Sequence, residues 1–367
     1  MGRSAELGCL DLLLVAGLAG EGRRCLLIGD PGIGKTALLS ATARRAKGRG
    51  FSVVQTQGVE GASELAFATV DDLWRSIGQG AGPATDMASW GDLLLGFLRE
   101  RAQQGPVLLI VDDAHLVDGP SLAALAMAAE RTEPLPVVVL AAVRSLDPPP
   151  GRLVSWPRLD VGPVPSEASI AMLRMRIGAD RPAPVPTLVD ALDGNPLAIS
   201  EAARLLTVEQ ICGQAPLPRS IPLAPGLLRA WSPRIAGLSD GGRRALLDVT
   251  VAGPTPQVLA AMAPRAGWGD EHLDELVGAG LAADSSDGAP TMPALVRSVV
   301  TAVCGPAEIR AAHRRAAEAT RDLGLPPRMV IEHLMHSSLT CNDGVADALE
   351  TEARRAESLD LLGMASD

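Results

Sequence analysis

Lys35 is one of only two lysines in this 367-residue chain, the other being Lys47, and it lies near the end of the run GDPGIGKT at Gly29–Thr36. The three glycines of that run let the backbone turn tightly enough for its N–H groups to converge. Convergent N–H groups at the start of a helix form a phosphate cradle, and the helix terminus adds partial positive charge. The Lys35 ammonium is expected to neutralise the β- and γ-phosphates of a nucleotide, and the Thr36 hydroxyl to complete a Mg²⁺ shell. The predicted binding set is therefore Gly29, Asp30, Pro31, Gly32, Ile33, Gly34, Lys35, Thr36 and Ala37, with Lys35 also acting in catalysis.

A second group of acids stands at Asp112 and Asp113, directly after the apolar run Val107–Val111. A carboxylate at the end of a strand can hold the water shell of Mg²⁺, and a neighbouring acid can orient or deprotonate an attacking water. Asp112 is accordingly assigned to the metal and Asp113 to the water. His115 reads either as a sensor of the phosphate or as a loop cap. Arg144 ends the run Val137–Val143, and it would approach the γ-phosphate if that run lies beside the strand preceding the loop. His333 and His336 stand three apart beside Glu332, without further ligand-like residues, and read as structural. Cys9, Cys25, Cys212, Cys304 and Cys341 are scattered with no CxxC pair, which suggests free thiols in a reducing cytoplasm.

These residues need elements to position them. Cys25–Gly29, Phe51–Gln55, Val107–Val111, Val137–Val143 and Arg158–Val161 read as strands. Thr36–Lys47, Leu93–Gln103 and Ser121–Glu130 read as the intervening helices. Apolar runs buried on both faces and alternating with helices predict an α/β fold, a P-loop NTPase parallel sheet with helices on both faces. Leu10–Gly20 is apolar, but Glu6 precedes it, Asp11 interrupts it and only Arg3 supplies positive charge, so it reads as a first amphipathic helix rather than a signal peptide. Helical patterns follow at Ser166–Ile177, from the capping pair Asn195–Pro196 to Leu206, and at Ile309–Leu323 and Val345–Leu362, the last two joined through His333 and His336. The expected domains are 1–165, a P-loop nucleotide-binding domain; 166–235, helical; 236–304, a winged helix; and 305–367, the start of a helical array.

Composition narrows the partners. The net charge is −10, tyrosine is absent and aromatics are 2%. An acidic chain with few stacking platforms is poorly suited to nucleic acid, and no stretch is apolar enough to span a bilayer. Neither a nucleic-acid nor a membrane partner is expected.

The motifs and their order resemble the STAND-class ATPases, in particular the N-terminal part of the large ATP-binding LuxR-type (LAL) transcriptional regulators. Gly2, Arg3 and Glu6 match the opening GRxxE signature. GDPGIGKTALL at Gly29–Leu39, LLIVDDAH at Leu108–His115, Arg144, and GNPLA at Gly194–Ala198 follow in the family's order. The resemblance implies a slow regulatory ATPase switching between an ADP-bound closed form and an ATP-bound, self-associating form under an inducer. It implies ATP rather than another nucleotide, contacts from Arg3 and Pro196 to the base or ribose region, and a sensor role for Arg144. No guanine-reading Asn/Thr-Lys-x-Asp element competes with that choice. Two departures stand out. Pro293 occupies a place where the family carries a histidine, and the family's long sensor arm and DNA-binding domain would begin where this chain ends, as in a fragment or a short relative.

Overall fold

The computed structural model describes residues 2–59, 65–80, 86–145, 149–178, 182–218, 221, 223, 225–253, 255–283, 290–338, 346–347, 350–351 and 353–354. They divide into two compact units, one comprising Met1–Ala183 with Gly194–Ser200, the other Pro184–Asp193 with Glu201–Asp367.

The first unit is an α/β fold around a five-stranded parallel sheet. Its strands are β1 (Arg23–Gly29), β2 (Ser52–Gln57), β3 (Val107–Asp112), β4 (Val137–Arg144) and β5 (Arg158–Asp160), in the spatial order β2-β3-β4-β1-β5. Side chains alternate across a strand, so a two-sided sheet needs apolar residues at every position. Val107, Leu109 and Val111 join Val137, Val139, Ala141 and Val143 in one core. Leu108 and Ile110 join Val138, Leu140 and Ala142 in the other.

Helices α1 (Ser4–Leu18) and α2 (Lys35–Gly48) cover the second face, through Leu10, Leu14, Leu38, Leu39, Ala43 and Ala46. Helices α3 (Ala68–Ser76), α4 (Met87–Gln104) and α5 (Gly119–Glu130) cover the first, through Val70, Leu73, Trp90, Leu94, Leu122 and Leu125. Two further helices start or lie in this unit, α6 (Ser166–Ile177) and, after α7 (Pro186–Ala191) of the second unit, α8 (Pro196–Leu205).

Three local expectations are corrected. Helix α1 is not amphipathic: Leu10 and Leu14 are buried, yet Leu12, Val15 and Leu18 on its outer side are also apolar and at least half exposed. Helix α4 begins at Met87, well before Leu93, because the Asp86 carboxylate accepts the Ser89 N–H at 2.8 Å and caps it. Two glycines inside α4 hid that start. One of them, Gly91, faces Met127 of α5 so closely that a Cβ would collide with the Met127 methyl. Helix α3 was not anticipated.

The second unit is mostly helical. It contains α9 (Val208–Ile211), α10 (Pro225–Ala236), α11 (Asp240–Ala252), α12 (Pro256–Ala266), α13 (Asp270–Gly278), α14 (Ala294–Val303), α15 (Pro306–Asp322) and α16 (Pro327–Ser337). An isolated antiparallel bridge joins Ala283 and Thr291 ahead of α14. His333 and His336 lie on α16 itself, not in a connection between helices. Pro326–Pro327 starts that helix, and its apolar residues Val330 and Leu334 pack against Ala317 of α15. The expected helix Val345–Leu362 lies mainly outside the described residues. A buried carboxylate, Asp248 of α11, accepts hydrogen bonds from Arg315 of α15 and from the Trp268 indole at 2.8 Å. Burial raises its pKa, and these donors oppose that rise. No described helix is long and apolar enough to cross a membrane.

Candidate nucleotide site

Strand β4 pairs with β1 on one side and β3 on the other, so the C-terminal ends of all three emerge together. Gly29 stands in register with Arg144, and Val111 with Ala141. The loop after β1, Arg144 and the Asp112–Asp113 pair thus share one edge of the sheet, where open parallel sheets bind ligands. The strand carrying Arg144 lies directly beside the strand preceding the loop, which was the condition for its expected role.

Glycine is required in the loop for two distinct reasons. At Gly29 a Cβ would come within 2.5 Å of the Val161 carbonyl oxygen, so the strand end tolerates no side chain. At Gly34 the backbone turns left-handed, φ 103°, immediately before α2. Lys35 follows as the first residue of that helix and is 7% exposed. Its Nζ donates to the Gly29 carbonyl at 2.7 Å and to the Asp30 carbonyl at 3.1 Å. Burial lowers the ammonium pKa to about 8; the Asp113 carboxylate opposes this and the Arg144 charge reinforces it.

That shift has a testable consequence. A polyphosphate beside Lys35 favours the charged amine, so its pKa rises on binding. Above pH 8 nucleotide binding should therefore take up a proton, and affinity should fall as pH climbs. At pH 8.5 an amine of pKa about 8 is roughly three-quarters deprotonated, so uptake near 0.7 proton is expected. Calorimetry in buffers of different ionisation enthalpy measures it directly.

The Thr36 hydroxyl, on the next residue, stands near enough to the Asp112 carboxylate to influence its titration. Asp112 ends β3 and is buried, which raises its pKa; the nearby Thr36 hydroxyl opposes that rise, and the neighbouring Asp113 charge adds to it. The Asp113 N–H donates to Asp112 Oδ1 at 2.9 Å. Asp113 itself sits in the left-handed region at φ 45°, a conformation that aspartate tolerates better than most side chains. Its own carboxylate accepts the Gln57 side-chain amide at 3.1 Å. A hydroxyl and a carboxylate side by side are hard oxygen donors of the kind Mg²⁺ takes together with phosphate oxygens and water, so the residues fit that ion.

Around this core the loop is held by its neighbours. Arg3 donates from Nη2 to the Ile33 carbonyl at 2.7 Å and from Nη1 to the Gly162 carbonyl at 2.6 Å, and it pairs with Glu6 at 2.7 Å. Its guanidinium therefore grips the backbone of the loop. The Asn195 amide donates to the Pro31 carbonyl at 2.9 Å, while its oxygen accepts the Leu197 and Ala198 N–H groups and caps α8. The Leu197 N–H reaches the Gly32 carbonyl at 3.2 Å. Pro196 abuts the loop, with its Cγ 3.8 Å from where a Gly34 Cβ would stand. Ser145 caps the other side, through its N–H to the Gly29 carbonyl at 3.1 Å and its hydroxyl to the Asp30 carboxylate.

Arg3→Ala should loosen this frame. Three contacts at a side chain that is 10% exposed are lost, and nucleotide affinity is expected to drop about tenfold, roughly 1.4 kcal/mol. Fluorescent-nucleotide titration reads the change, and a retained melting temperature would separate loop positioning from unfolding.

Sequence reasoning missed Gln57, Ser145 and the bond from Asn195 to the loop. Gln57 carried a weak signal, being polar at the end of a strand. Only its register opposite Asp112 shows why it matters.

Residues 1–140, which lie within the first unit, match the family model of the AAA ATPase domain. Among solved structures, the chain is similar to the ORC2 protein of Aeropyrum pernix, solved as ADPNP-ADP complexes. The two share 16% identity over 82% of this chain and 93% of that one, at a TM-score of 0.52. It is also similar to Cdc6p of Pyrobaculum aerophilum, at 15% identity over 82% and 93% and a TM-score of 0.42. A third is a STAND protein with a tetratricopeptide repeat sensor from Pyrococcus horikoshii, at 13% identity over 93% of this chain and 49% of that one, with a TM-score of 0.35. No curated protein matches in sequence.

Proposed function

We propose that this chain, with its AAA-type domain in residues 1–140, is a slow regulatory ATPase of STAND type that binds ATP or ADP with Mg²⁺. The observation that carries the reading is the shared sheet edge that brings the Thr36 hydroxyl beside the Asp112 carboxylate, with buried Lys35 bonded to the Gly29 and Asp30 carbonyls of the loop. Thr36 and Asp112 would hold the Mg²⁺, which supplies positive charge to the phosphate oxygens. Lys35 and Arg144 bring cationic groups to the same edge. The backbone from Gly29 to Ala37 orients the phosphates.

In the hydrolytic step a water oxygen bonds to the γ-phosphorus while the bond to the β–γ bridging oxygen breaks, leaving its electron pair on ADP. Asp113 orients that water and accepts its proton. Gln57 and the left-handed turn hold the Asp113 carboxylate in place. Arg3 and Asn195 keep the loop in shape from outside, and Pro196 lines it.

The regulatory role rests on the resemblance of the GRxxE, LLIVDDAH and GNPLA segments to LuxR-type regulators. We read 236–304 as a winged helix, on the strength of α11, α12 and α13 followed by the Ala283–Thr291 bridge and α14, and 305–367 as the start of a repeat arm. Self-association in the ATP state and control by an inducer belong to the same reading. The alternative is a nucleotide-binding module with no useful turnover.

Asp113→Asn separates the two. It removes the proton acceptor but keeps the shape, so turnover should fall by roughly a hundredfold with nucleotide affinity nearly unchanged. No phosphate release by the parent chain would favour the binding module; equal release by both proteins would overturn the role given to Asp113. The base carried by nucleotide that copurifies with the protein checks the choice of adenine.

A further inference from the structure

We propose that a cavity of about 410 Å³ in the second unit, walled by Arg297, Arg310, His313, Thr250 and Thr301, binds a small organic anion: a carboxylate or phosphate group on a compact apolar body. The cavity lies among α11, α14, α15 and α16, entirely within that unit.

Charge is the first argument. The chain as a whole is acidic, at −10, yet no carboxylate is among the described residues lining this cavity. Nearby, Arg243 pairs with Glu308 and Arg315 with Asp248. Among the described residues Arg297 instead bonds to the Thr250 carbonyl alone, at 3.1 Å, and its half-buried guanidinium is destabilised by desolvation. Arg310 makes no hydrogen bond or ion pair among the described residues. Two guanidinium groups facing one cavity without a counter-charge among the described residues are an unfilled demand for an oxyanion, which they recognise through paired N–H donors.

Shape and polarity are the second. The volume suits a small metabolite rather than a polymer. Val251 and Ile309 supply an apolar wall, and the Thr250 and Thr301 side chains stand nearby. Burial and the neighbouring His336 and His333 push the His313 pKa down to about 4. At neutral pH its ring is therefore uncharged and serves as a hydrogen-bonding wall, stacked on His336 at 5.0 Å between centroids. The arginines alone then supply the positive charge.

The site is independent of the phosphate loop, and so is its test. The full chain is saturated with ADP and Mg²⁺, then titrated calorimetrically with butyl phosphate in one arm and butanoate in the other. One-to-one binding of at least one probe is expected, and the arm that responds identifies the oxyanion. Affinity should fall at least tenfold in Arg310→Ala and vanish in Arg310→Glu, variants that break no hydrogen bond or ion pair among the described residues. It should persist in Lys35→Ala. No saturable heat from either probe, or equal affinity in Arg310→Ala, would overturn the proposal.

Discussion

Lys35→Ala should weaken ATP binding by on the order of a thousandfold, about 4 kcal/mol, because it removes the one ammonium that faces the polyphosphate from inside the loop. Several observations support so large an effect. The amine is buried, its field is poorly screened there, and it spans the Gly29 and Asp30 carbonyls at the centre of the cradle. Neither Arg144 nor Lys47 replaces it: Arg144 is on the neighbouring strand, and Lys47 lies near the far end of α2. The same substitution should cost the empty protein little. An ammonium whose pKa is lowered to about 8 is a group the fold desolvates at a cost, and that cost disappears with the side chain. Calorimetry with ATP and Mg²⁺, alongside thermal melts without nucleotide, tests both halves. A large fall in the melting temperature of the empty variant would contradict this account of Lys35.

Asp118→Ala should destabilise the first unit by about 3–5 kcal/mol. Asp118 is 1% exposed, and its carboxylate caps two helices at once. Oδ1 accepts the Ser121 N–H of α5 at 2.9 Å and the Phe67 N–H ahead of α3 at 2.8 Å; Oδ2 accepts the Thr69 N–H at 3.1 Å. The Ser121 hydroxyl accepts the Val70 N–H at 3.1 Å beside them. Alanine leaves three backbone donors without their acceptor. Urea denaturation measures the loss, and amide hydrogen exchange should rise first in peptides covering α3 and the start of α5.

The pH dependence has a definite sign. Burial by itself would raise the Asp118 pKa, but the bonds from Ser121, Thr69 and Phe67 together outweigh it and hold the carboxyl below its ordinary value. A depressed carboxyl contributes stability above the unfolded pKa, near 3.9, and loses it as pH falls through the folded value. The gap between the parent chain and Asp118→Asn should therefore be constant near neutrality and shrink only below about pH 4. A gap that closes between pH 5 and 7 would point to another group.

Much of the site was legible because its chemistry is local. The run from Gly29 to Thr36 is contiguous, and its glycines, lysine and threonine act within one turn of chain. The acids Asp112 and Asp113 follow a strand whose buried pattern is unmistakable in Val107–Val111. Arg3 illustrates the limit: its presence was noted, yet its contact with the Ile33 carbonyl depends on how α1 lies against the loop. Asn195 is similar, recognisable as a helix cap but not as a tie to Pro31. Helix α3 was invisible because its start is secured by Asp118, some fifty positions later in the chain.

By itself, then, the chain's order of residues determined the loop's conformational freedom, the identity of its charged and hydroxyl groups, and the two-faced strands of a parallel sheet. These follow from backbone sterics and from a side-chain alternation that repeats every two residues. Only the tertiary structure decided that β4 separates β1 from β3, that Gln57 comes to stand opposite Asp112, and that Arg297 and Arg310 share one cavity. Strand order and helix docking are settled by burial summed over the whole core, and no short stretch of chain carries that sum.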